Sequence, residues 1–159
     1  MLRLITADWL SIMLIVLYLV FDRREGIGMV CSHSRILVYS ANLAGDQFIQ
    51  VLVQRKVFAA LSCSTVHKQH LYDLGVKNVV EVDIKKKCLT SFPENEFSKV
   101  YIFEDELCQC CCLIEAIRKW TIGTIFIITK QKYPQMIYKA LGADFVIRTT
   151  SDDLSFLLD

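Results

Sequence analysis

The 159 residues contain no G-x-S-x-G elbow, no H-E-x-x-H pair and no Walker loop. These motifs carry a strained serine nucleophile, a zinc-bound water and a phosphate cradle, so the usual signatures of hydrolase, metalloprotease and NTPase are missing. Charge of one dominant sign is missing as well: 18 Lys and Arg stand against 17 Asp and Glu, a formal net charge of +1. Nothing global therefore points to nucleic acid or an acidic polymer as partner. There is no low-complexity tract beyond a run of cysteines, four of the seven falling within Cys108–Cys112. Adjacent cysteines are poorly placed to bridge one another, and the α/β pattern described below is typical of reducing compartments. Free thiols are expected.

What the chain has in quantity is apolar residues, 53% of the total against a usual ~45–50%, with the excess concentrated at the N-terminus. Trp9–Phe21 carries no charge, and from Leu4 the largely apolar stretch reaches 18 residues, interrupted by Asp8. A spanning helix needs about 20 apolar residues, with roughly 17 as the lower limit. Trp9 and Tyr18 suit interfacial positions, and Arg23 and Arg24 follow the segment, against Arg3 and the amino terminus before it. By the positive-inside rule the remainder of the chain is expected in the cytoplasm. Residues 1–21 are thus read as a hydrophobic, transmembrane helix, the alternative being an apolar helix docked on the domain or on a partner. Residues 22–34 read as a linker, and residues 35–159 as one domain of ordinary size.

That domain opens on Arg35–Gly45, R-I-L-V-Y-S-A-N-L-A-G. Ile36, Leu37, Val38 and Tyr39 read as a buried parallel strand. A short turn ends at Gly45, and Asp46 opens a run whose Phe48, Ile49, Val51, Leu52 and Val53 suit a buried helix. A strand, a tight turn and a helix aimed back over the strand end form the geometry that binds a dinucleotide pyrophosphate. Further strands are expected at 57–62, 78–82, 99–103, 124–129 and 144–147. Helices at about 65–74, 105–120 and 134–141 lie between them, two of these closed by Gly75 and Gly142. Strands alternating with helices at this spacing give an α/β, Rossmann-like, doubly wound fold: a mostly parallel six-stranded sheet with helices on both faces.

The order of elements resembles the N-terminal Rossmann domain of Trk-type potassium-uptake regulators, the regulator-of-conductance (RCK) domain, over about residues 35–150. The resemblance rests on the opening strand-turn-helix with Gly45, on V-V-E-V-D ending at Asp83, on K-V-Y-I-F, and on Y-K-A-L-G-A-D-F-V-I. Similar strings occur in medium-chain dehydrogenases and in short-chain dehydrogenase-like proteins of the NmrA group. Carried over, the resemblance puts Ser40, Asn42 and Gly45 at the phosphate turn, where only the third glycine of G-x-G-x-x-G survives. It also puts the ribose contact at the end of the second strand. There the chain has Ser62, Cys63, Ser64 and Thr65, with no carboxylate for a ribose 2′-hydroxyl. Three readings stay open: Ser64, Thr65 and Lys68 receive a 2′-phosphate, a mononucleotide binds, or nothing does. The cofactor implied is accordingly NAD(P), an adenine nucleotide, or none.

Other clusters have plainer readings. His67 and His70, three apart on a helix, share a face. They make a conceivable metal pair with Cys63 or Cys88, but the usual zinc spacings are missing around them, so two solvated histidines are expected. Cys108 and Cys112 share a face and suit a metal or oxidation, though cysteines there serve more often as small core residues. Glu104, Asp105 and Glu106 complement a helix dipole at the sheet edge where Rossmann ligands bind. No Tyr-x-x-x-Lys pair follows the fourth strand, so no catalytic residues are assigned, and no metal site. The expected role is a membrane-anchored, cytoplasmic regulatory module of the potassium-conductance type, responsive to nucleotide, acting as a homo-oligomer or on a membrane-protein partner. The alternatives are a degenerate NAD(P)-binding oxidoreductase-like protein and a scaffold that binds only protein.

Overall fold

The computed structural model describes residues 35–55, 58–89 and 97–159. The hydrophobic segment and the linker read from the sequence lie outside these residues. Among the described residues no helix is long and apolar enough to cross a membrane.

In chain order the elements are β1 (Arg35–Tyr39), α1 (Leu43–Arg55), β2 (Phe58–Ser62), α2 (Thr65–Asp73), β3 (Val79–Asp83), β4 (Cys88–Leu89), β5 (Phe97–Phe103), α3 (Leu107–Arg118), β6 (Thr124–Thr129), α4 (Gln135–Leu141), β7 (Phe145–Arg148) and a terminal 3-10 turn (Ser155–Leu158). The strands lie in the order β4-β3-β2-β1-β5-β6-β7. The six expected strands are all present and mutually parallel, pairing for example Ile36 with Phe58 on one side and with Lys99 on the other. The seventh, β4, is a two-residue addition antiparallel to β3, in a stretch read from the sequence only as a polar connection. Lys87, with φ of 49°, makes the left-handed step that turns the chain back.

Because successive strand residues point to opposite faces, the sheet carries two cores. Leu37, Tyr39, Val100, Ile102, Ile125 and Ile127 face α3 and α4, meeting Leu113, Ile114, Ile117 and Tyr138. Ile36, Val38, Tyr101, Phe103 and Ile128 face α1 and α2, meeting Phe48, Ile49, Leu52 and Leu71. The strands read as continuous apolar runs because both faces are covered. Beyond α1, Leu154 and Leu158 of the C-terminal segment cover the second core, and the Tyr101 hydroxyl donates to the Leu157 carbonyl at 3.0 Å. Phe126 stacks between Tyr101 and Phe145 with centroids 5.0 and 5.2 Å away, continuing that face toward β7.

The expected caps hold at the two glycines with positive φ, Gly75 at 91° and Gly142 at 117°. Arg118 ties the far edge together. Its guanidinium donates to the carbonyls of Gly142, Thr121 and Gly123 and pairs with Asp144 at 2.7 Å, so one side chain joins the ends of α3 and α4 to the start of β7.

Candidate functional site

β1 sits between β2 and β5, so the helices that follow β1 and β5 leave toward opposite faces. A crevice opens between the two strand ends, the position where open α/β sheets bind ligands. Asn42 spans it, its Nδ2 donating to the Glu104 carbonyl at 3.0 Å.

The turn after β1 differs from the sequence reading in one respect. Helix α1 starts at Leu43, not at Asp46. Asn42 is the reason: its Oδ1 accepts from the Gly45 N–H at 3.0 Å, and its carbonyl accepts from the Asp46 N–H at 3.1 Å. An Asn cap of this kind holds a third-position amide that would otherwise lack a partner. Gly45 therefore lies inside the first helical turn, and close packing is what requires it there. A Cβ at Gly45 would stand 2.5 Å from Ser40 Oγ and 3.0 Å from Phe103 Cγ.

Asp46 then closes the turn. Ser40, buried at the end of β1, donates its hydroxyl to Asp46 Oδ1 at 2.6 Å. The other carboxylate oxygen meets His70 Nε2 at 2.9 Å, an ion pair when the imidazole is protonated. These side chains, with His67, line a cavity of about 260 Å³ over the helix N-terminus. A dinucleotide pyrophosphate would present its negative charge here. The chain supplies an anion of its own instead, already hydrogen-bonded.

Of the two histidines expected to be solvated, His70 is exposed, paired with Asp46, whereas His67 is not solvated. His67 is partly buried, its ring edge on Tyr39 with centroids 5.4 Å apart, and neither ring nitrogen makes a hydrogen bond. Burial lowers its basicity and the neighbouring His70 adds to this. The Ser40 carbonyl pulls the other way without reaching hydrogen-bond geometry, as does Asp46. Among the described residues no group of three His, Cys, Asp or Glu side chains is placed to hold a metal ion.

The expected ribose residues lie one strand over. Ser64 and Thr65 line a larger cleft of about 520 Å³ across the ends of β2 and β3, with Gln109 of α3 on its far wall. Ser64 is partly committed, its Oγ capping α2 by accepting from the His67 N–H at 3.2 Å. Lys68 is held by Glu81 in an exposed ion pair. The structure thus gathers Ser40, Asn42 and Gly45 at one site and Ser64 and Thr65 at another, with Lys68 paired to Glu81 on the wall of that second cleft. Two residues that the sequence left unassigned complete the second cleft: Glu81 and Asp83 of β3 bring carboxylates to a wall that β2 leaves without one. Asp83 is partly occupied, its Oδ1 accepting from the Lys85 and Lys86 amides at 3.0 and 3.1 Å.

On the other side of the crevice Glu104 is 3% exposed. The Tyr138 hydroxyl of α4 donates to its two carboxylate oxygens, at 2.8 and 2.7 Å. Burial and this carboxylate push the Tyr138 phenol well above its ordinary range. Burial does the same to the Cys110 thiol in the adjacent core, with Glu104 adding to it.

These shifts give stability a defined pH profile. Cys110 has its pKa raised in the folded state, so its contribution is full below the unfolded value of 9.0 and declines above it. Tyr138, Tyr39 and Tyr101 join above 10.0. His67, lowered in the folded state, contributes above 6.5 and loses that contribution as the pH falls. Urea denaturation should therefore show a plateau from about pH 6.5 to 9, then a fall approaching about 1.4 kcal/mol per pH unit for each thiol or phenol that ionises only on unfolding. Stability unchanged through pH 10.5 would contradict the burial of Cys110.

No known family's sequence profile matches the chain, and no curated protein matches it in sequence. Solved structures do. The NAD(P)-binding domain of an exopolyphosphatase-related protein from Archaeoglobus fulgidus superposes with a TM-score of 0.59 at 17% identity, covering 74% of this chain and 88% of that one. The TrkA-N domain of the inner membrane protein ybaL from Escherichia coli gives 0.55 at 12% identity, covering 79% and 94%. The GsuK channel bound to NAD gives 0.57 at 14% identity over 87% of this chain, which spans only 27% of the channel's length. The described domain thus shares the Rossmann-like α/β fold of these three structures, and the resemblance read over residues 35–150 holds at the level of the fold.

Proposed function

We propose that the chain is a non-catalytic regulatory module of the potassium-conductance type. Residues 4–21 anchor it to a membrane, its Rossmann domain lies on the cytoplasmic side, and it acts as a homo-oligomer on a transport protein. The observation that carries this reading is the state of the switch-point crevice. The crevice has the strand, turn and helix of a dinucleotide site, yet the carboxylate of Asp46 lines it, bonded to Ser40 and His70, where a bound pyrophosphate would meet like charge. Two of the similar structures are a channel and a domain of an inner membrane protein, which supports a membrane partner.

The cleft of about 520 Å³ supports a second reading. It lies within the usual size range of small-molecule sites, roughly 300–1,000 Å³. A nucleoside bound there through Glu81 or Asp83 would not have to cross the closed turn.

Both readings are tested by thermal shift of the full chain in detergent against NAD, NADH, NADP, NADPH, AMP and adenosine. At a hundredfold excess over Kd a ligand adds about 2.7 kcal/mol. Silence across the panel is expected for the first reading. A shift with AMP or adenosine alone establishes the second, and a shift with any dinucleotide overturns the closed turn. The anchor is tested separately: the chain should resist alkaline carbonate extraction from membranes and should be released once residues 1–21 are deleted.

A further inference from the structure

The cysteines of α3 are not equivalent. Cys108 is the second residue of the helix and exposed, Cys110 faces the core at 2% exposure, and Cys111 is partly buried. Cys108-Gln109-Cys110-Cys111 is therefore a C-x-x-C sequence at a helix start, with its first thiol open to a reagent in solution. Residues three apart share a helix face with Cβ atoms about 5–6 Å apart, whereas a disulfide needs about 3.5–4.5 Å. The first turn can close that gap at its open end, since the amides before Cys110 have no partner within the helix and the turn is held by the Cys110 amide on the Glu106 carbonyl at 3.0 Å, without a side-chain cap bond. Cys112 is placed differently. Bridging it to Cys108 would compress a complete hydrogen-bonded turn, because in an α-helix the amide of residue 112 bonds the carbonyl of residue 108.

We propose that Cys108 and Cys111 are a redox-active dithiol that closes to a disulfide by exchange with a small-molecule disulfide. Cys108, exposed, attacks one sulfur of the reagent as its thiolate. A Cys108–reagent bond forms, the reagent's S–S bond breaks, and one thiolate leaves. Cys111 then attacks the Cys108 sulfur, forming the intramolecular bond and expelling the second thiolate. The two cysteines lose two electrons, the reagent gains them and departs as two thiols, and the two cysteine protons pass to those thiols. The proximity this needs is also felt electrostatically: the Cys111 thiol is raised first by burial and next by Cys108, ahead of Cys112.

The test is titration of the full chain with 2-hydroxyethyl disulfide, followed by acid quench, N-ethylmaleimide blocking and peptide mapping of residues 100–118. The 108–111 disulfide should form at reagent concentrations at least about tenfold below those that load Cys63 or Cys88, because the second step is intramolecular. Cys111→Ser should trap the mixed disulfide on Cys108, Cys108→Ser should abolish closure, and Cys112→Ser should leave it unchanged. Circular dichroism should show α3 retained in both states. A 108–112 bond, equal loading of all accessible cysteines, or closure only after the helix unfolds would each overturn the proposal. Should Cys111→Ser fold poorly, Cys111→Ala serves in its place.

Discussion

Gly45→Val should cost the domain about 3 kcal/mol or more, at the upper end of what overpacking costs. A Cβ alone would lie 2.5 Å from Ser40 Oγ, 2.9 Å from Ser40 Cβ and 3.0 Å from Phe103 Cγ. None of these neighbours can easily yield. Ser40 sits on backbone fixed by β1 and its hydroxyl is tied to Asp46, while Phe103 is fully buried against Phe48 with ring centroids 5.2 Å apart. The helix must therefore lift from the sheet, opening the core at Ala44, Phe48 and Ile49. Gly45→Ala should cost less, since alanine recovers about 1 kcal/mol of helix propensity and adds only the first of the clashing atoms. Urea denaturation of the three proteins checks this. Valine within about 0.5 kcal/mol of wild type, the usual range of a surface substitution, would mean that α1 does not pack as described.

Tyr138→Phe should be the next most damaging change, at about 2–4 kcal/mol. It removes the hydroxyl that donates to both oxygens of Glu104 and leaves a buried carboxylate without that donor, and stranding a buried charged group costs far more than a hydrogen bond contributes. The partner changes separate this cause from lost packing. Glu104→Gln keeps an acceptor for the phenol and removes the charge, so it should cost less than Tyr138→Phe. The double change Tyr138→Phe with Glu104→Leu should recover much of the loss, because removing both members of a buried pair is often close to neutral. A double-mutant cycle showing simple additivity would mean that the two side chains do not interact.

Much of this architecture is legible locally. Ile36–Tyr39, Val100–Phe103 and Thr124–Thr129 are apolar runs that can only be strands covered on both faces, and their alternation with amphipathic helices selects a parallel sheet. Gly75 and Gly142 announce helix ends because each carries a positive φ that other residues adopt at a cost. The start of α1 was less legible. Asn42 is a good cap by type, but whether it or Asp46 opens the helix depends on where Asn42 Oδ1 points. β4 was missed because two residues carry no pattern.

The candidate site divides along the same line. Ser40, Asn42 and Gly45 belong together in any strand-turn-helix of this spacing, since the turn itself makes them neighbours. That Asp46 would turn back onto Ser40 and meet His70, 24 residues further on, has no local signal. Nor has the pairing of Glu104 with Tyr138 across 34 residues, or of Lys68 with Glu81 across 13. Each depends on which strand ends the sheet order places side by side. The sequence by itself determined the six parallel strands, the helices between them and their alternation, because these follow from short-range periodicity and backbone sterics. Only the tertiary structure decided that Asp46 bonds Ser40 and His70 across the turn after β1 and that the larger cleft lies at the ends of β2 and β3. Side chains from separate elements choose their partners only once the sheet has brought them within hydrogen-bond reach.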